Sequence, residues 1–104
     1  MNKEEILALI VERMRATFEV RRIILFGSQA CGNASAESDY DVLVEVDSDQ
    51  RWQDRQLAGL RALRQRKFPI DLLVLTPEEV QSQTAILGSA VDWALTEGRV
   101  LYAR

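Results

Sequence analysis

Histidine is absent from this chain of 104 residues, which excludes His-based acid–base catalysis and His metal ligation. Cysteine occurs once, at Cys31, so no internal disulfide can form and a reducing, cytoplasmic setting fits. A basic excess is missing too. Thirteen Lys and Arg stand against 16 Asp and Glu, and the net charge of -3 argues against a general nucleic-acid binder. Arg61, Arg64, Arg66 and Lys67 do cluster, and read as a solvated helix face. No apolar run reaches membrane-spanning length, and the charged start at Lys3, Glu4 and Glu5 lacks a signal-peptide pattern. Repeats, low-complexity tracts and long linkers are lacking. The expectation is one small domain, residues 1–104, with its own core.

What is present is a succession of short periodic segments. Ile6, Leu7, Ile10, Val11, Met14 and Phe18 recur at helical spacing, so residues 3–18 read as an amphipathic helix. Ile23 to Phe26 fits a buried strand ending at Gly27. Residues 28–38, with Gly32, Asn33, Ser35 and Ser38, suggest a short helical turn and then a loop. Asp41 to Val46 reads as a second strand. Ser48 and Asp49 are cap candidates for a helix through about Arg66, with Trp52, Leu57, Leu60 and Leu63 as its apolar positions. Ile70 to Leu75 is a third strand. Thr76-Pro77-Glu78-Glu79 reads as a helix start with Thr76 as N-cap and Glu79 closing a capping box. A last helix is expected over Ile86 to Glu97, with Leu87, Ala90, Val91, Ala94 and Leu95 on one side and Gly98 as its stop. Val100 to Tyr102 can add an edge strand.

The helix between the second and third strands implies that they run parallel. Parallel strands start at the same end of a sheet. Asp41 opens one and Asp71 the other, and Asp39 precedes Asp41 by two residues, on the same face of an extended segment. If the strands are neighbours, Asp39, Asp41 and Asp71 converge at one rim. Clustered carboxylates repel unless a cation neutralises them, and their hard oxygens suit Mg²⁺. Two Mg²⁺ ions about 3.5–4 Å apart clamp the attacking and leaving oxygens of an in-line phosphoryl displacement. In that scheme Asp39 and Asp41 bridge both ions and the triphosphate, and Asp71 holds the ion that carries the acceptor hydroxyl. Gly27 lets backbone approach a ligand closely, and Ser28 offers a hydroxyl and an N–H to phosphate.

Gly27-Ser28, ten residues and Asp39-x-Asp41 match the signature of the DNA polymerase β-like nucleotidyltransferase superfamily. Leu25 to Gly32 and Ser38 to Val44 look like its minimal nucleotidyltransferase (MNT) branch, and Pro69-Ile70-Asp71-Leu72-Leu73 is similar to that branch's third-carboxylate strand. The resemblance spans about residues 5–102. It implies an α/β (α+β) nucleotidyltransferase fold, a small mixed β-sheet flanked by helices. Many members carry basic residues where this chain has Gln29 and Cys31. Tyr40 stands where an aliphatic residue is usual; by the pleat it points away from the carboxylates, into the core. Small members resemble the antitoxin of a two-component system whose partner is a HEPN-domain ribonuclease toxin. The resemblance implies transfer of AMP from ATP to a toxin tyrosine.

Two other readings compete. One is nucleotidyl transfer to a small hydroxylated molecule such as an aminoglycoside, which usually takes more chain to grip the drug. The other is a non-catalytic antitoxin that masks its toxin by contact; loss of a carboxylate would favour it, and all three are present. A chain this short is expected to take its acceptor hydroxyl from another molecule.

Overall fold

The computed structural model describes residues 2–31, 39–64, 68–86 and 88–104. The loop expected over 32–38, together with Arg66, Lys67 and Leu87, lies outside the described residues. Helix α1 is Lys3–Thr17. Asn2 Oδ1 accepts from the Glu5 N–H at 2.9 Å, and Glu5 Oε1 accepts from the Asn2 N–H at 3.3 Å. This reciprocal cap satisfies two N–H groups that a helix start leaves free. Ile6, Leu7, Ile10 and Met14 are its buried stripe.

Strand β1, Glu19–Phe26, is longer than the apolar run that announced it. Arg21 and Arg22 interrupt the hydrophobic pattern, yet each finds a cross-strand carboxylate. Arg21 Nε lies 2.7 Å from Asp47 and Arg22 Nε 2.9 Å from Glu45, both on β2, Tyr40–Asp47. Such pairs support a ladder as apolar pairs do. The short α2, Ser28–Cys31, separates β1 from β2 in sequence.

The sheet order is β3-β2-β1-β4, with β3 at Ile70–Leu75 and β4 at Arg99–Ala103. β1 is antiparallel to both β2 and β4, and β2 and β3 are parallel, as the helical crossover required. Helices cover both faces. Val42, Val44, Val46, Leu72 and Val74 pack with α1 residues in one cluster; Ile24, Phe26, Leu43 and Leu75 pack with Val80, Val91 and Ala94 in the other. Burial on both sides explains the continuous apolar runs of β2 and β3. Each such side chain contributes about 1.5–3 kcal/mol when fully buried.

The crossover helix α3, Trp52–Ala62, corrects the expectation most. It is capped by neither Ser48 nor Asp49: Arg51 occupies the N-cap without a side-chain bond, and Ser48 Oγ accepts from Gln50 N–H in a local turn. Trp52, Leu57 and Leu60 are exposed, and of the expected apolar positions Leu63 alone is buried. The inward side carries Arg55 and Gly59 instead. A Cβ on Gly59 would stand 2.8 Å from Leu72 Cδ2 and 3.1 Å from Val74 Cγ2, so glycine lets helix and sheet approach closely. Gln56 Nε2 donates to the Leu72 carbonyl at 2.8 Å while its Oε1 accepts from the Val74 N–H at 2.6 Å. One side chain thus pairs with the outer edge of β3.

Helix α4, Pro77–Thr84, opens with the expected capping box. Glu79 also receives Arg55 Nη2, at 2.6 and 2.7 Å. Helix α5, Ala90–Glu97, starts four residues later than expected, with Ser89 as its N-cap. Gly88, at φ 79, breaks the periodicity before it, leaving Ile86 exposed. Of its expected inner side, Val91 and Ala94 are buried, Leu95 is half-buried and Ala90 is exposed. Gly98 ends the helix in an extended rather than left-handed conformation.

Candidate active site

β2 and β3 pair in a register that sets Tyr40 beside Ile70 and Asp41 beside Asp71. Neighbouring strands lie about 4.8 Å apart, and paired residues point to the same face. Tyr40 and Val42 belong to the α1 side of the sheet, so Asp41 and Asp71 lie on the α4–α5 side, at its open rim. Asp41 is half-buried, while Asp39 and Asp71 are exposed. Burial raises the Asp41 pKa first, and the charges of Asp71 and then Asp39 raise it further. The charges of Asp39 and Asp71 thus both reach Asp41. Among the described residues no three ligating side chains stand close enough to enclose an ion as they are. Nor, among those residues, does a lysine or arginine pair with Asp39, Asp41 or Asp71. A rim of repelling hard oxygens, with no fixed counter-charge among the described residues, suits a mobile divalent cation.

Gly27 follows β1 at φ 73, in the left-handed region. Its neighbour Phe26 is the register partner of Asp41. A Cβ on Gly27 would collide with the Asp41 carboxylate. The glycine therefore has a role the sequence did not disclose, which is to leave room for Asp41. Ser28, first residue of α2, is exposed beside it. The turn is closed by Ala30 N–H on the Gly27 carbonyl at 3.1 Å.

Lys3 was not among the residues singled out. Its Nζ donates to the Gln29 carbonyl at 2.5 Å, tying the start of α1 to this turn across 26 positions. Nothing in an amphipathic helix start signals such a tether. Gln29 is buried. Tyr40 is a core residue as expected: its ring meets Phe68 edge-on at 5.6 Å, and burial raises its phenol pKa.

Comparison with known proteins gives a family. The family described as "Nucleotidyltransferase domain" matches residues 7–92. Over 109 aligned residues the chain is 28% identical to the "Putative protein adenylyltransferase" of Methanocaldococcus jannaschii, covering 98% of this chain and 100% of that one. Among solved structures, a toxin–antitoxin with AMP-PNP superposes with a TM-score of 0.70 at 20% identity, covering 94% of this chain and 73% of the other. A tri-AMPylated Shewanella oneidensis HEPN toxin in complex with MNT antitoxin gives 0.65 at 17% identity, covering 99% and 74%. At these identities the structural matches establish a shared fold.

Proposed function

The chain belongs to the nucleotidyltransferase domain family, and from that premise we propose that it transfers AMP from ATP to a tyrosine hydroxyl of a HEPN-domain toxin, acting as a cytoplasmic antitoxin. The observation that carries the reading is the Asp41–Asp71 register, with Gly27 cut back beneath Asp41. It is supported by the adenylyltransferase relative and by fold neighbours that are toxin–antitoxin complexes.

In this reaction the tyrosine oxygen forms a bond to the α-phosphorus. The bond from that phosphorus to the bridging oxygen of the β-phosphate breaks, pyrophosphate leaves, and the phenol proton passes to solvent. Ser28 and the Gly27–Ser28 backbone hold the triphosphate tail at the β1 side of the rim. Asp39, Asp41 and Asp71 are the residues that would hold Mg²⁺. When bound, the ions supply charge neutralisation and stabilise the transferring phosphoryl group. The protein's own share is positioning: tail over β1, α-phosphate over β2, acceptor from the β3 side, so that attack and departure fall in line.

The test mixes the protein with its toxin, ATP and Mg²⁺ and reads intact masses. The toxin mass should rise by whole AMP units as ribonuclease activity falls. Neutralisation that proceeds equally with Asp41→Asn, or without ATP, would replace transfer by stoichiometric masking.

A further inference from the structure

We propose that the exposed indole face of Trp93 is the platform on which the base of the nucleotide stacks, giving this site a preference for purines. The inference rests on the nucleotidyl-transfer reading above. It starts from Phe26, which is in register with Asp41 and immediately precedes Gly27. Cross-strand partners on one face have Cβ atoms about 5 Å apart. Phe26 therefore forms the floor of the rim beside the carboxylates.

Trp93, on α5, stands against that floor. Its ring centroid is 5.8 Å from that of Phe26, with 69° between the planes. Its Nε1 donates to Glu97 Oε2 at 3.2 Å. The indole is thus fixed by a ring contact on one side and by its N–H, and yet Trp93 remains 45% exposed. A single exposed apolar side chain is ordinary on a protein surface. A pre-oriented aromatic beside a phosphate turn and a carboxylate pair is a different case, because its ordering cost is already met before a ligand arrives. A nucleotide whose phosphates lie over Gly27 and Asp41 can turn its base toward Phe26, the register partner of Asp41, where Trp93 offers a π-face. Stacking is indifferent to hydrogen-bond pattern and favours larger bases. The site should then accept adenine and guanine similarly and disfavour pyrimidines.

Trp52, the chain's other tryptophan, provides the control. It begins α3, after the end of β2 opposite the carboxylates, and lines a groove with Leu73, Leu75 and Glu79 that extends to Ala90 and Val91 of α5. In the Trp52→Phe protein, fluorescence reports Trp93 alone. ATP with Mg²⁺ should quench it, whereas inorganic tripolyphosphate with Mg²⁺, which carries no base, should not. Trp93→Ala should weaken ATP binding roughly 5- to 100-fold and leave the KM for the toxin unchanged. Trp93→Phe, which keeps a ring against Phe26, should retain most of the affinity, and a thermal melt of Trp93→Ala with a cooperative transition shows that its loss is not misfolding. CTP should bind less well than ATP or GTP, and that gap should close in Trp93→Ala. If Trp93→Ala binds ATP as the wild type does, the platform is refuted while nucleotidyl transfer stands. A raised toxin KM with unchanged ATP affinity also refutes it and moves Trp93 to the acceptor. Failure of the wild type to bind any nucleotide refutes both readings.

Discussion

Replacing Gly27 with alanine tests whether this glycine exists for the backbone or for Asp41. Two costs are separable. An L-residue in the left-handed region costs about 1–2 kcal/mol, and Gly27 sits at φ 73. The new Cβ also collides with the Asp41 carboxylate, and forcing atoms into occupied space costs about 1–3 kcal/mol. Gly27→Ala should therefore destabilise the metal-free protein by about 2–5 kcal/mol in all. In an Asp41→Ala background the obstruction is gone. The nearest remaining atom there is the residue's own Cβ, 3.4 Å from the new methyl, an ordinary contact. The same substitution should then cost only the backbone part, about 1–2 kcal/mol. Urea unfolding of the four proteins in EDTA, with m held common, measures the difference as a coupling energy. Transfer activity of Gly27→Ala should be lost with it, since a carboxylate that yields to the methyl leaves the rim. Equal costs in both backgrounds, with transfer intact, would refute the argument and return Gly27 to a plain strand-ending turn.

Asp39→Asn, Asp41→Asn and Asp71→Asn should each lower transfer by at least about a hundredfold without unfolding the protein, as steady-state assays and thermal melts would show. Asp41 adds a pH signature: because its folded pKa is raised, its own contribution to stability is fully present below the ordinary aspartate range and is lost as pH rises through the folded value. Metal-free Asp41→Asn should accordingly gain on wild type from pH 4 to 7 in denaturant titrations. Ser28→Ala should be milder than the carboxylate changes, weakening nucleotide use by about 1.5–3 kcal/mol because its N–H remains; nucleotide KM measures it. Glu79→Ala should cost about 3 kcal/mol in urea unfolding, toward the low end for a broken buried pair because Glu79 is partly exposed. It strands a guanidinium whose side chain is 2% exposed and removes the carboxylate half of the α4 capping box, while the Thr76 hydroxyl keeps its bond to the backbone N–H; Arg55→Met should cost less.

The parts of the site that sequence disclosed are those set by periodicity and connectivity. A helix between two apolar runs dictates parallel strands, and once the two are neighbours the pleat places Asp41 beside Asp71. The α4 start was readable because Thr76, Pro77 and Glu79 act through local backbone groups. Failures came where a distant partner overrides local composition. Arg21 and Arg22 look like a break in a strand until Asp47 and Glu45 are beside them. Arg55 and Gly59 look like the outside of α3, because no local rule says that a guanidinium will meet Glu79 or that Leu72 needs the space of a missing side chain. The Lys3 tether to Gln29 is invisible for the same reason. The residues that position the candidate chemistry were therefore less legible than the residues that would perform it.

Gln56 shows how far that positioning reaches. Its amide occupies the Leu72 carbonyl and the Val74 N–H, the backbone groups through which another strand would have to zip onto β3. The carboxylate-bearing side of the sheet is thereby closed to templated growth, and strand addition is left to the β4 margin. The same two bonds act as a latch on alignment. A slip of one residue would send Asp71 through to the opposite face, and the side chain that opposes the slip comes from the crossover helix and touches no reacting group.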